Sequence, residues 1–147
     1  MLEHLRLFAR SRPLAPEGFR PLRKLGEGGM GVVYEALDLN LDRRVAIKRM
    51  RDDLAADEKG KALLFQEART VARLKHPSIV EIFSLIESRG GLFLVFELVE
   101  GKTLDRVMDP SQGLAPETAV GLLRQIAEAL EYAHGQGVVH QDLKPSN

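Results

Sequence analysis

The sequence predicts an α+β fold, in which a strand-rich half with a single helix precedes a helical half. Short runs rich in β-branched and aromatic residues, separated by glycine or polar turns, recur between positions 19 and 99. One charged segment among them, Lys59–Lys75, has apolar residues at helical spacing. After Gly101 the strand pattern stops, and a long segment beginning at Pro116 carries a continuous apolar stripe.

The composition is that of a soluble globular chain with one domain of ordinary size. Its 147 residues suffice for a core, and 21 Lys and Arg balance 21 Asp and Glu, so charge gives no indication of nucleic acid as a partner. The absence of cysteine excludes disulfides and thiolate metal sites. No apolar run approaches a membrane span, and the charged start does not resemble a secretory signal. A cytoplasmic protein without membrane contact in this stretch is therefore expected.

The first half begins after an extension, residues 1–18. From Phe19 the pattern predicts a strand, a glycine-rich loop, a strand at about 32–38, a polar turn and a third strand. Alternation along that third strand puts Ala46 and Lys48 on one face. A long charged side chain beside a small alanine predicts a face that borders a cavity.

The predicted helix carries a carboxylate on its apolar face. Leu63, Val71 and Leu74 recur on one side, and Glu67 lies between them at four-residue spacing. A carboxylate in an apolar stripe is costly unless it is paired, and Lys48 is the obvious partner. The alternative, which the periodicity leaves open, is a glutamate at the edge of the stripe that reaches water.

Two further strands follow, at Ile79–Ile86 and Leu92–Val99, joined by a Ser-Arg-Gly-Gly turn. A short helix at Leu104–Met108 and a long helix at Pro116–Gln136 are predicted after them, the second starting at a proline in the first helical position. The expected organisation is an extension at 1–18, a strand-rich unit at 19–101 and a helical unit at 102–147.

Gly26, Gly28 and Gly31 form the pattern G-x-G-x-x-G between the first two strands. Glycines allow a backbone to approach an anion closely, and its N–H groups can then bind phosphate without help from side chains. Dinucleotide-binding folds share the pattern, but there it lies between a strand and a helix, and no Walker-type phosphate loop is present. The pattern alone leaves an ordinary glycine-rich hairpin open.

Four motifs in order make the chain resemble the Ser/Thr protein kinases of the bacterial type. GEGGMGVVYEA resembles their glycine-rich loop, VAIK at 45–48 resembles their lysine strand, and Glu67 falls at the place of their helical glutamate. HQDLKPSN at 140–147 resembles their catalytic loop. The resemblance covers Phe19 to Asn147. It implies a small lobe of five antiparallel strands and one helix, followed by the start of a helical large lobe.

The resemblance implies ATP and Mg²⁺ as ligands and transfer of the γ-phosphoryl group to Ser or Thr hydroxyls of a protein substrate. Lys48 would hold the α- and β-phosphates and pair with Glu67. Asp142 would accept the proton of the substrate hydroxyl, and Lys144 would neutralise charge on the transferred group. Asn147 would bind one Mg²⁺.

The resemblance also implies which residues contact the nucleotide. Phe96 would be the gatekeeper beside a hinge at Glu97–Val99, whose backbone would read the adenine edge. The full implied set is Leu25, Gly26, Glu27, Gly28, Gly29, Met30, Gly31, Val33, Ala46, Lys48, Phe96, Glu97 and Val99.

Two features depart from the family pattern. Gln141 replaces the arginine that in many relatives grips a phosphorylated activation loop, so regulation by loop phosphorylation is not expected. No D-F-G follows Asn147, so the sequence is expected to be the first part of a kinase domain and inactive alone. A nucleotide-binding pseudokinase and a pure interaction module are the alternatives, and the full set of catalytic residues argues against both.

Overall fold

The computed structural model of the chain describes residues 13–108, 111 and 113–146. Most of the predicted extension, residues 1–12, and the predicted metal ligand Asn147 lie outside these ranges. In chain order, the described strands and helices are β1 (Phe19–Gly28), β2 (Gly31–Asp38), β3 (Arg43–Met50), α1 (Asp52–Ala56), α2 (Glu58–Val71), β4 (Ile82–Ser88), β5 (Gly91–Glu97), α3 (Leu104–Val107) and α4 (Pro116–Gly135).

The five strands form one antiparallel sheet in the order β1-β2-β3-β5-β4, which confirms the predicted α+β architecture. Two-residue turns join β1 to β2, at Gly29–Met30, and β4 to β5. In the second turn Arg89 and Gly90 have φ of 49° and 74°, the positive values that match the twist of a tight hairpin. The polar turn between β2 and β3 is held by Asp38, whose Oδ1 accepts the Asn40 N–H at 3.0 Å.

Alternation along the strands divides the core between the two faces of the sheet. One face is covered by a cluster made of Ala36, Val45, Ile47, Phe93 and Val95. The other face carries Met50, Leu92 and Leu94, which pack against Ala68 of α2. Because Lys48 alternates with Ile47 along β3, it lies on the α2 side of the sheet. The helix therefore covers the face on which the sequence predicts a cavity.

Helix α2 turns a different side to the sheet from the one that the sequence predicts. Ala68 is buried, with Leu64 and Phe65 packed against the same cluster. Leu63 is 57% exposed, and Glu67 is exposed as well. The predicted inward position of Leu63 and Glu67 was therefore wrong, and the structure shows the alternative that the sequence left open, a glutamate that reaches water.

The helix also ends earlier than predicted. It stops at Val71, and Leu74 follows in an irregular segment. Leu74 is only 5% exposed, but it packs from outside the helix. Its burial therefore does not indicate which helical face points inward.

A short helix that the sequence did not predict, α1, comes before α2. It is followed by Asp57, whose carboxylate accepts the N–H groups of Lys59 at 3.1 Å and Gly60 at 3.0 Å. These bonds satisfy two of the donors that the first turn of α2 leaves free. Five residues are too few to show helical periodicity, so α1 left no recognisable pattern in the sequence.

Helix α4 is held to the strand-rich half by residues that lie beside its predicted apolar stripe rather than in it. Ala129 and Ala133 are buried. The hydroxyl of Tyr132 accepts the N–H of Lys75, in the segment after α2, at 3.0 Å. The helix ends as predicted near its glycines, since Gly137 has φ of 76°.

Candidate active site

The third glycine of the loop is required by the packing of the sheet itself. Gly31 begins β2 with φ of 151°, and a Cβ there would lie 2.0 Å from the carbonyl oxygen of Arg49 on β3. No side chain fits at that distance without moving the backbone. This part of the G-x-G-x-x-G pattern is therefore structural.

The other loop glycines meet no such requirement within the chain. Cβ atoms on Gly26, Gly28 and Gly29 would have no neighbouring atom within 4 Å, and none of the three has a positive φ. These glycines instead keep the space outside the loop free. The backbone of this part of the loop is therefore open to close approach, as expected of a loop that holds a phosphate group.

The side chains predicted to surround an adenine lie in adjacent strands on one face of the sheet. Val33 on β2 pairs with Lys48 on β3, and Ala46 on β3 pairs with Phe96 on β5. Paired residues of antiparallel strands project to the same side. The strands therefore bring a small apolar platform next to a single lysine.

The predicted hinge starts where β5 ends. The backbone N–H of Glu97 donates to the carbonyl oxygen of Glu81 at 2.9 Å, and the Glu81 N–H donates to the Glu97 carboxylate at 3.4 Å. Val99 is 62% exposed, and Leu25 on β1 is 37% exposed. Both apolar side chains are thus accessible to a planar apolar group.

Lys48 lies half-buried on this face, and burial lowers its pKa. Its Nζ lies 3.9 Å from the Sδ of Met30 in the turn between β1 and β2. In the part of the chain that the structure describes, Lys48 and Glu67 form no ion pair. That predicted pair is wrong for this structure because α2 directs Ala68 to the sheet and leaves Glu67 in water.

A charged cluster that the sequence analysis missed lies on the same face. Glu35 is 3% exposed, and its two carboxylate oxygens lie 2.7 Å from the Nε atoms of Arg23 and Arg44. Arg44 also donates through Nη1 to Glu100, beyond the hinge, at 3.0 Å. The hydrogen bond from Arg44 holds the pKa of Glu35 below its usual range. The cluster thereby ties β1, β2 and β3 to the segment after the hinge.

A signal for this cluster was present in the alternation of β2. Glu35 is two residues from Val33, so the two share a face, and its strand neighbour is Ala46. A carboxylate on a face otherwise occupied by apolar and small residues requires a cationic partner. Naming that partner needs the strand register, because Arg23 and Arg44 lie in two different strands.

Asp142 and Lys144 are brought together in an exposed loop after α4. The Nζ of Lys144 donates to both carboxylate oxygens, at 3.1 and 2.9 Å, with side-chain exposures of 50% and 68% for Lys144 and Asp142. A pair so exposed adds little to stability. The arrangement places a proton acceptor and a cation at one point, as transfer of a phosphoryl group to a hydroxyl requires.

The turn that presents Asp142 has an unusual backbone conformation. Gln141 has φ of 61°, and the Asp142 N–H donates to the carbonyl oxygen of His140 at 2.8 Å, with the His140 Nδ1 at 3.3 Å. A side-chain-bearing residue with positive φ is strained. The loop is also tied to α3, since the Asp105 N–H donates to the carbonyl oxygen of Pro145 at 3.0 Å. Backbone bonds rather than burial therefore position Asp142.

Neither a ready metal cluster nor a membrane-spanning helix occurs in the described ranges. In those residues no group of three or more His, Asp or Glu side chains could hold a metal ion. No described helix is both long and apolar enough to cross a bilayer. A magnesium ion that enters with a nucleotide keeps phosphate and water ligands, so it needs only one or two ligands from the protein.

Known proteins share this arrangement of motifs and strands. A family model described as "Protein kinase domain" matches residues 19–147. The chain is similar to serine/threonine-protein kinase pkn2 of Myxococcus xanthus, with 45% identity over 130 residues, or 88% of this chain and 15% of that protein. It is similar to serine/threonine-protein kinase PrkC of Bacillus subtilis, with 40% identity over 129 residues, or 88% of this chain and 20% of that protein.

A solved structure extends the likeness to three dimensions. The chain superimposes on the crystal structure of the Mycobacterium tuberculosis PknI kinase domain with a TM-score of 0.76 and 29% identity, covering 91% of this chain and 55% of that one. The chain thus spans about half the length of that kinase domain and about a fifth or less of the two curated relatives. Because the family model matches nearly all of it, this chain belongs to the protein kinase domain family.

Proposed function

We propose that this chain carries the nucleotide-binding cleft and the catalytic loop of a Ser/Thr protein kinase that uses ATP and Mg²⁺. The observation that carries the proposal is a single row across the sheet. Gly26 pairs with Val33, and Val33 pairs with Lys48. A polyanion above this row would meet open backbone at the glycine, an apolar platform at the valine and one cation at the lysine.

The remaining nucleotide contacts follow from the same face. Ala46 and Leu25 would contact the adenine beside Val33, Phe96 would close the space behind it, and the backbone of Glu97–Val99 would bind its edge. Glu27, Gly28, Gly29, Met30 and Gly31 would complete the loop over the phosphates. The open space at Gly28 and Gly29 supports this assignment.

The catalytic residues would share the transfer step as follows. Lys48 would bind the α- and β-phosphates, and the carboxylate of Asp142 would accept the proton of the Ser or Thr hydroxyl while that oxygen bonds to the γ-phosphorus. The bond from the γ-phosphorus to the bridging oxygen then breaks, and Lys144 neutralises charge on the transferred group. Asn147 would help to hold magnesium, which would supply further charge neutralisation. Glu67 is included among the catalytic residues because it occupies the position of the helical glutamate of the family.

The cleft also suggests how the chain is divided. Residues 19–101 would form the small lobe with the cleft, residues 102–147 would begin the large lobe, and residues 1–18 would be an extension. The non-regular segment after β5 supports a hinge at this boundary. Because ATP is the substrate, this part of the protein would work in the cytoplasm, on protein substrates and without nucleic acid or membrane contact.

One observation favours a second candidate, a nucleotide-binding regulatory module without transfer. Lys48 and Glu67 do not pair in this structure, and kinases need such an ion pair for turnover. A module of this kind would bind ATP and leave it intact. Binding without turnover therefore separates the two candidates.

The test uses the full-length protein with ATP, Mg²⁺ and a generic Ser/Thr substrate. We expect Asp142→Asn to abolish transfer and retain ATP binding, whereas Lys48→Met should weaken ATP binding and abolish transfer. Asp53→Asn, which changes an exposed aspartate of α1, is the matched control and should behave like the parent protein. Transfer by Asp142→Asn at the parent rate would overturn the kinase assignment, and binding without transfer by the parent would select the regulatory module.

A further inference from the structure

Met30 differs from the other described methionines in both exposure and neighbours. The chain has four methionines, and Met1 lies outside the described residues. Met30 is 61% exposed, Met108 is 37% exposed and Met50 is buried at 3%. Met30 is therefore the methionine most open to a dissolved oxidant among those that the structure describes.

The sulfur of Met30 faces a lysine that lacks a strong acceptor. Its Sδ lies 3.9 Å from the Nζ of Lys48, and a thioether is only a weak hydrogen-bond acceptor. Across the described ranges, no carboxylate forms an ion pair with Lys48. A half-buried ammonium without a strong acceptor is stabilised when a stronger hydrogen-bond acceptor is placed beside it.

We infer that Met30 is an oxidative modification site, at which sulfoxide formation gives Lys48 a strong acceptor and weakens nucleotide binding in the cleft. The consequence for nucleotide binding rests on the proposed function of Lys48, and the oxidation itself does not. Methionine sulfoxide is reversible through dedicated reductases, so the site would act as a reversible switch.

The reaction needs only a hydroperoxide and balances without other groups. A lone pair of the Met30 Sδ attacks one oxygen of hydrogen peroxide, a sulfur–oxygen bond forms and the oxygen–oxygen bond breaks. The proton on the transferred oxygen passes to the departing hydroxide, which leaves as water. The sulfur loses two electrons, and hydrogen peroxide is reduced to water. In the reverse direction a thiol-dependent reductase returns the two electrons and releases the oxygen as water.

The product places a polar oxygen where a phosphate must approach the lysine. Because the sulfur already lies 3.9 Å from Nζ, an oxygen bound to it falls within hydrogen-bonding reach. A hydrogen bond from an ammonium to such an oxygen is charge-assisted and about twice as strong as a neutral one. Phosphate would have to displace that bond to reach Nζ.

The first experiment needs no nucleotide. The full-length protein is treated with dilute hydrogen peroxide, and peptide mass spectrometry follows oxidation at each methionine and acylation of Lys48 by an amine-reactive ester. We expect Met30 to oxidise before Met108 and Met50, and acylation of Lys48 to slow several-fold after oxidation. In Met30→Leu the oxidant should leave Lys48 acylation unchanged, whereas Met108→Leu should respond like the parent.

The second experiment measures ATP affinity by calorimetry before and after peroxide, and again after methionine sulfoxide reductase. We expect about a tenfold loss of affinity on oxidation, the scale of one competing charge-assisted hydrogen bond, and recovery after reduction. The ATP affinity of Met30→Leu should be the same before and after peroxide treatment. If the protein with unoxidised Met30 binds no ATP, the proposed function fails. The acylation experiment still tests whether oxidation of Met30 gives Lys48 a new acceptor. If ATP binds but oxidation of Met30 changes neither acylation nor affinity, the inference is overturned.

Discussion

The carbonyl oxygen of Arg49 lies 2.0 Å from the place where a Cβ of Gly31 would stand. Gly31→Ala must therefore push β2 away from β3 at the end of the glycine-rich loop. Because of this clash and the positive φ of Gly31, we expect the substitution to lower the free energy of unfolding by about 2–4 kcal/mol. Urea denaturation followed by circular dichroism measures it.

Gly28→Ala is the matched control, because its Cβ meets nothing within 4 Å and its φ is not positive. We expect its stability to stay within about 1 kcal/mol of the parent. Its ATP affinity should fall, since the methyl group enters the space left for phosphate. Equal destabilisation by both substitutions would contradict the division of the glycines into structural and ligand-facing positions.

Lys48→Met should weaken nucleotide binding without harming the fold. Burial lowers the pKa of Lys48, so the cost of desolvating its ammonium is present below that folded-state pKa and fades as the pH rises through it toward 10.5. At about pH 7 the substitution relieves this cost, and the unfolding free energy should hold or rise slightly. Glu67→Gln should likewise leave stability unchanged. A loss of about 3–5 kcal/mol from Lys48→Met, the cost of breaking a buried pair, would show that Lys48 and Glu67 are joined after all.

Glu35 should make the sheet sensitive to acid. Its pKa lies below the ordinary value of 4.5 because of the hydrogen bond from Arg44. The stability that this supplies is present above pH 4.5 and is lost as the pH falls through the folded-state pKa. Glu35→Gln should therefore be less stable than the parent at about pH 7, and the difference should shrink at about pH 3.

The control for Glu35 is Glu17→Gln, because Glu17 pairs with Arg89 on the open surface, where both side chains are more than half exposed. Exposed pairs contribute little, so this change should alter stability by less than about 1 kcal/mol at either pH. The urea midpoints of the two variants and the parent at both pH values measure these differences in stability. A Glu35→Gln deficit that persists undiminished in acid would indicate lost packing rather than lost charge.

The sequence predicted the sheet well because strand alternation and turn chemistry are local. The turn at Arg89–Gly90 and the shared face of Ala46 and Lys48 follow from neighbours in the chain. The inward face of α2 was not predictable in the same way. The choice between Ala68 and Glu67 depends on which side chains the sheet can cover, and that is a tertiary property.

The two parts of the candidate site differ, for the same reason, in how far the sequence predicts them. Asp142 and Lys144 are two residues apart, so their contact follows from one loop conformation and a motif finds it. The cluster around Glu35 joins residues from three strands and the segment after the hinge. Its partners depend on register and on a diagonal contact, which no short motif encodes.

Gln141 gives a prediction about regulation of the full-length protein. A neutral amide beside Asp142 cannot form the charge-assisted contact that an arginine makes with a phosphorylated loop. Phosphatase treatment should therefore change the phosphotransfer rate by less than about twofold, and Gln141→Arg should introduce a dependence on phosphate. A large loss of rate in the parent protein after phosphatase treatment would show that another cation receives the phosphate.

The contact between Tyr132 and Lys75 should govern how firmly α4 is held to the strand-rich half. The Tyr132 hydroxyl accepts the Lys75 N–H at 3.0 Å, and its ring centroid lies 5.4 Å from that of His76. Tyr132→Phe keeps the ring and leaves the N–H without its acceptor, so we expect a loss of about 1 kcal/mol and faster amide exchange in α4. The other tyrosine, Tyr34, supplies the control, since its hydroxyl makes no hydrogen bond within the described residues, and Tyr34→Phe should leave α4 exchange unchanged. Equal exchange in the two variants would mean that Ala129 and Ala133 hold the helix by packing alone.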